Sequence, residues 1–247
     1  GRVVPIDPVL AIVGDRAPQE VVERARLELG LDRPLPEQFV RYVGQLFSGD
    51  LGRSVMTANP VTDDILRFWF ADGPDVYRTC WFRRSDAYDA EIRDRFAAAQ
   101  QQAHDGALDA WAATPDGTLA LAILLDQFPR NLFRGEARAF ASDPAARALA
   151  AEAVGRGDDL SLSPVQRIFL YLPFEHGEAM QHQDRSVALF EGLRDVPSMA
   201  APGAAIDYAW RHRAVIRTFG RFPHRNAALG RDSTAAEKAW LGAGGGF

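Results

Sequence analysis

Ser163-Pro164-Val165-Gln166-Arg167-Ile168-Phe169-Leu170-Tyr171-Leu172 places a serine three residues ahead of a glutamine, and its apolar side chains then fall at 165, 168, 169 and 172. A serine N-cap accepts from the backbone N–H three residues on, and the glutamine side chain reaches back. The stretch therefore predicts a helix start followed by a buried stripe at helical period. Pro173 is expected to end or kink this helix. Upstream, Asp143-Pro144 reads as an N-cap followed by proline at the first helical position, with Gly155 and Gly157 as stops. Leu119 to Phe128 is apolar nearly all round and should sit centrally. Asp86 to Gln102 carries Tyr88, Ile92 and Phe96 four residues apart, and Ile65 to Phe70 is a dense aromatic start before Gly73-Pro74. Downstream, helices are expected over about 178–194 and 204–219, with a second capping box at Thr234-Ala235-Ala236-Glu237 and a frayed glycine-rich tail from Gly242. No stretch alternates apolar and polar residues as a strand does. Six or seven helices joined by short loops give an all-α fold.

Residues 1–61 have a different texture. Two short helices are expected, Pro18 to Gly30 and Pro36 to Phe47, before Gly49, Gly52 and Pro60 punctuate a polar linker. So small a segment hardly buries a core of its own, which sets it apart from the helical domain of residues 62–247.

Composition narrows the function classes. The net charge of −5 speaks against a general nucleic-acid binder, because neutralising phosphates takes an excess of Lys and Arg. The longest apolar run, Leu119 to Leu125, falls far short of the roughly 18 residues of a membrane span. Cys80 is the sole cysteine, so a disulfide scaffold is excluded, and its aromatic surroundings read as those of a buried small hydrophobe. No leader is recognised ahead of Gly1, and a cytoplasmic setting is expected. Lys238 is the lone lysine among 28 basic residues, a bias too uniform to point at a function.

Two loops carry a repeated local pattern. Asp126-Gln127-Phe128-Pro129-Arg130-Asn131 and Gly220-Arg221-Phe222-Pro223-His224-Arg225-Asn226 both run Phe-Pro and then Arg-Asn, with one extra residue in the second. Proline ends a helix and frees backbone donors in the turn, where the Arg and Asn side chains can converge. Either these residues plug, cap and pair within the protein, or they line a site. Between Arg211 and Arg231 lie six arginines, two histidines and no acid. Such a group repels itself unless anions face it, whether the protein's own (Asp126, Glu175 and Glu178 are candidates) or a bound carboxylate or phosphate.

Metal chemistry is not expected. Glu178 and His182 stand four apart beside Glu175-His176, but no third or fourth ligand and no Cys pair completes a set. His212 reads as a core histidine. Glu175, His176 and His224 can do acid–base work, since histidine titrates near neutrality. No Ser or Cys nucleophile, phosphate loop or dinucleotide fingerprint stands out, and no cofactor is expected.

From Ile65-Leu66-Arg67-Phe68-Trp69-Phe70 to Gly230-Arg231, the chain resembles the bacterial domain-of-unknown-function family 924. The resemblance rests on Trp81-Phe82 with Asp86 and Ile92, on both Phe-Pro loops, and on Phe174-Glu175-His176. It implies a TPR-like right-handed stack of helix hairpins and carries no activity with it. Residues 1–61 resemble the segment after the first membrane helix of dipeptide/oligopeptide ABC-transporter permeases, through Asp7-Pro8-Val9-Leu10, Gly14-Asp15, residues 28–35 and Gly49-Asp50-Leu51-Gly52-Arg53-Ser54. The first and second membrane helices of a permease are both missing, so transport is not expected of a chain without a spanning bundle.

The resulting expectation is a small anionic ligand, or a peptide, in a pocket lined by the two loops. Asp126, Arg130, Asn131, His176, Arg221, Arg225 and Asn226 would line it, with Glu175 and His224 as acid–base candidates and Trp69 and Trp81 as an apolar wall or as core. The alternatives are a hydrolase or isomerase using Glu175 and His224, and a TPR-like interaction scaffold. Oligomeric state is left open.

Overall fold

The computed structural model describes residues 59–246, together with Gln19 and Glu23. Those two are helical, and Gln19 Nε2 donates to Glu23 Oε1 at 3.2 Å. The remainder of the two helices expected before residue 59 lies outside the described residues. Residues 61–247 form one unit of the chain, and this unit carries both Phe-Pro loops.

Several of its helices start where a side chain accepts from a free N–H group. After α1 (Pro60–Trp69), Ser85 accepts from Tyr88 N to start α2 (Asp86–His104), and Thr114 accepts from Gly117 N to start α3 (Pro115–Ala122). A π turn over Ile123–Gln127 then leads into α4 (Phe128–Leu132). Next come α5 (Asp143–Arg156), α6 (Pro164–Glu175), α7 (Met180–Glu191), the single turn α8 (Pro197–Ala200), α9 (Ala205–Phe219) and α10 (Ala235–Gly242). The described residues contain no strand, and the fold is all-α. Both capping boxes form as the sequence predicts: Ser163 with Gln166, and Thr234 with Glu237.

Four details depart from the sequence reading. Ser142, not Asp143, precedes α5, so Asp143 is its first helical residue and Pro144 its second. The Asp143 carboxylate is thereby free to face away from the helix N-terminus. Pro173 does not end α6, which runs on to Glu175. The missing N–H costs one backbone bond close to the end of the helix. The apolar stretch through Phe128 is buried as expected, but it is not a regular helix. Pro129 has no N–H for the Leu125 carbonyl and its ring crowds that oxygen. Immediately before it, Phe128 N instead reaches back five residues to Ile123 O. Cys80 sits in the 3-10 turn Thr79–Trp81 and is half-buried against the core.

The core is an aromatic and aliphatic mass between α1, α2, α3, the π turn and α6. Trp69 is fully buried, stacked on Trp81 at 6.0 Å and edge-on to Phe128 and Phe169, both at 5.5 Å. Trp81 Nε1 donates to Trp69 O at 2.9 Å. Both tryptophans thus serve the core. From α5 onward successive helices pack on one another, α5 on α6, α6 on α7 and α7 on α9. A second, smaller cluster of Val215, Ile216 and Phe222, with Met180, Phe219 and Trp240 against it, seats the loop after α9.

Candidate functional site

The two Phe-Pro loops meet on one carboxylate. Arg130 Nη1 and Nη2 donate to Asp143 Oδ1 and Oδ2 at 2.9 and 3.0 Å, and Arg225 Nη1 donates to Oδ2 at 3.2 Å. Arg225 is buried, its guanidinium between the rings of Phe140 and Phe222 at 4.7 and 4.6 Å. Burial and the nearby Arg130 lower its pKa to about 10, against the opposing pull of Asp143.

Asp126, on the π turn, is fully buried. Its Oδ1 lies 2.7 Å from His176 Nδ1 and 3.4 Å from Arg130, and Oδ2 accepts from Gln127 Nε2 at 2.5 Å. Burial alone would raise its pKa, but Arg130 and His176 outweigh that and hold Asp126 ionised, well below the usual carboxylate range. The proton of the short contact therefore sits on His176 Nδ1. Burial and Arg130 lower the His176 pKa against the pull of Asp126, so the ring is neutral at pH 7 with its lone pair on Nε2. Among the described residues Nε2 has no hydrogen-bond partner, and the side chain is 12% exposed.

Behind this pair, Glu175 Oε1 lies 3.1 Å from His212 Nδ1, which also faces Tyr208 O at 2.9 Å. Glu175 is 2% exposed, and its Oε2 has no partner among the described residues. Burial, reinforced by Asp126, drives the Glu175 pKa well above the ordinary value. Burial and His176 drive that of His212 well below. The His176 and His212 rings lie 6.3 Å apart. His224 is on the exposed side, leaning on Phe222 at 5.6 Å, and desolvation and Arg225 lower its pKa to about 4.

The other expected site residues point elsewhere. Asn131 Nδ2 donates to Asp89 at 2.7 Å, a carboxylate that Arg134 also holds. Asn226 Nδ2 donates to Ser233 Oγ at 3.0 Å, and its backbone oxygen accepts from Arg231 N. Arg221 is bidentate on Glu237 at 2.6 and 2.8 Å, the glutamate of the last capping box. Arg231 is bidentate on Glu178, which also accepts from Phe222 N at 2.8 Å. The protein's own acids thus answer most of the arginine-rich segment, but of those named from sequence only Glu178 pairs with one of its arginines; Asp207, Asp184, Glu237 and Asp143 take Arg211, Arg213, Arg221 and Arg225, and Asp126 pairs with Arg130 instead. Asp143 was missed because Asp-Pro reads locally as a cap, and no short-range pattern announces a partner 82 residues away. Among the described residues no group of His, Cys, Asp and Glu is arranged to hold a metal. A surface groove of about 580 Å³, lined in part by Arg67, Phe68, Arg78, Tyr88 and Arg95, involves neither loop.

Residues 2–83 match the family described as binding-protein-dependent transport system membrane component, N-terminal. Over 69 residues the chain is 50% identical to the probable D,D-dipeptide transport system permease protein DdpB of Escherichia coli K12, covering 28% of this chain and 20% of that protein. Over 68 residues it is 43% identical to the glutathione transport system permease protein GsiC of Pectobacterium atrosepticum, covering 27% and 22%. The chain spans about a fifth of the length of these permeases. No helix among the described residues is long and apolar enough to cross a membrane. The solved structure of ATU0120, a protein of unknown function from Agrobacterium tumefaciens, superposes with a TM-score of 0.66 at 41% identity, covering 74% of this chain and 97% of that one. Residues 65–245, which hold both loops and the Arg130–Asp143–Arg225 junction, match the family described as bacterial protein of unknown function (DUF924), and the chain belongs to that family.

Proposed function

We propose that the protein binds a small oxyanion, a carboxylate or phosphate, against Arg225 where the two Phe-Pro loops meet, beside His176 and His224. One observation carries the reading. Arg225 is 5% exposed yet places a single donor on Asp143, and its Nε is buried without an acceptor among the described residues. Arg130, by contrast, is bidentate. A buried N–H without an acceptor costs about 1–3 kcal/mol, which an oxyanion at the guanidinium edge recovers. Asn131, Asn226 and Arg221 enter the reading as supports that fix the two loops.

A TPR-like description of the helix stack belongs to the same reading, supported by the successive packing of α5, α6, α7 and α9. The use of a single cysteine supports a reducing, cytoplasmic setting. The transport activity named for the permeases forms no part of the proposal, since a path across a bilayer takes a bundle of spanning helices.

The test is thermal unfolding of the full chain in inorganic phosphate against chloride at matched ionic strength. The midpoint should rise with phosphate concentration, as mass action requires for a ligand of the native state. Arg225→Lys, which keeps the charge but loses the fork, should unfold cooperatively in chloride and show no phosphate-dependent rise. A wild-type midpoint indifferent to phosphate and to small carboxylates overturns the reading.

A further inference from the structure

We infer that His176 is a nucleophile: its Nε2 takes a phosphoryl group from a small acyl or aryl phosphate held against Arg225 and passes it to water. This rests on the oxyanion site proposed above and adds a reaction to it.

The geometry supplies what an imidazole nucleophile needs. Nδ1 is tied to Asp126 at 2.7 Å, and that carboxylate is itself fixed by Gln127 and Arg130. The ring is thus held in one orientation and one tautomer, with the lone pair on Nε2. Forming an N–P bond places positive charge on the ring, and the buried Asp126 carboxylate stabilises that charge where it develops. The neighbouring cations suit the substrate. Arg130, which also lies 3.4 Å from the Asp126 that holds the ring, converges with Arg225 on Asp143, and the guanidinium fork matches the oxygens of a phosphoryl group. The His212 ring, 6.3 Å away, is neutral, so it adds no charge that would repel the developing imidazolium.

In the first step the Nε2 lone pair forms a bond to phosphorus. The bond from phosphorus to the bridging oxygen breaks, and its electron pair leaves with the carboxylate or phenolate. In the second step a water oxygen attacks phosphorus, the N–P bond breaks with its pair returning to Nε2, one water proton stays on the phosphate and the other passes through solvent to the departed carboxylate or phenolate. The products are inorganic phosphate and the free acid or phenol. No metal, oxidant or cofactor enters the balance.

The experiment incubates the full chain with acetyl phosphate and, separately, p-nitrophenyl phosphate, quenches in alkali, and maps phosphoryl groups by mass spectrometry. The expected result is one alkali-stable, acid-labile phosphoryl group on His176. His176→Asn should abolish it. Asp126→Asn, which upsets the tautomer, should slow labelling at least about tenfold. Absence of label on His176 with both donors overturns the inference, as does label on another histidine alone or an unchanged rate in Asp126→Asn. Because the site is mapped in the wild-type chain, the outcome stands even where a variant folds poorly. The phosphate-dependent melting of the wild type separates the two readings. A phosphate-dependent rise without labelling leaves the binding site standing and removes the nucleophile, and no rise removes both.

Discussion

Asp143 is the residue on which two loops depend. It faces Arg130 and Arg225, whose side chains are 20% and 6% exposed. Removing one partner of a buried ion pair leaves the other charge uncompensated, typically at about 3–5 kcal/mol. Asp143→Ala should therefore lower the unfolding free energy by about that much in urea titrations, and a loss under about 1 kcal/mol would show that the junction is not structural. Glu175 gives a prediction with a sign in pH. Its pKa is raised in the folded state, so above the ordinary carboxylate range the unfolded chain gives up a proton that the folded chain keeps. Stability is full below pH 4.5 and is lost as pH rises toward the folded pKa. Glu175→Gln still offers an oxygen to His212 and has nothing to ionise. It should gain on the wild type by about 1.4 kcal/mol per pH unit above pH 4.5, until the folded pKa is reached. Denaturant unfolding at a series of pH values checks it, and a pH-independent difference refutes it. The residue types of this region were legible in the sequence, because a cluster of arginines and histidines without acids is visible in any window. Their pairing was not, since Asp143 and Glu237 read locally as helix caps and Asp89 as part of an ordinary helix.

Helix starts were the most legible elements, because a cap is a contact between residues three apart. Ser163 does two jobs, accepting from Gln166 N at 3.3 Å and donating to Pro74 O at 2.6 Å. Thr234 makes only the capping contact among the bonds described for its side chain. Each cap is worth about 1 kcal/mol, and the bond to Pro74 adds roughly another. Ser163→Ala should thus destabilise more than Thr234→Ala in parallel denaturation curves, and the reverse order would contradict the assignment. Gly117 is a tighter constraint. A Cβ there would stand 2.1 Å from the Trp111 carbonyl oxygen, a backbone atom that cannot swing aside. Gly117→Ala should cost about 1–3 kcal/mol in the same measurement. The π turn was hidden from the sequence. An apolar run carries no phase, so nothing local shows that the register slips by one residue before Pro129 and sets where Asp126 lies relative to His176.

Over the whole molecule, the absence of strand alternation and the spacing of apolar residues were enough for the all-α class, because that class is written in short-range period. Which helices close on which was not, because it depends on side chains far apart in sequence. α1 illustrates the boundary. Ile65 and Trp69 are fully buried, so a chain beginning at residue 71 should lose cooperative unfolding, while one beginning at residue 59 keeps α1 to α10 and should unfold cooperatively by circular dichroism. A non-cooperative melt of the longer piece would show that residues 1–58 are needed for stability. The long reach of the junction bears on the order of events during synthesis. Helices α5 to α7 pack mostly on their chain neighbours and can form as they emerge, whereas Arg225 joins Asp143 across 82 residues. The carboxylate that the two arginines share waits half-answered on the nascent chain until Arg225 has emerged. A chain cut short before that point carries nearly all of the helices, with Arg130 on Asp143 and the second arginine missing.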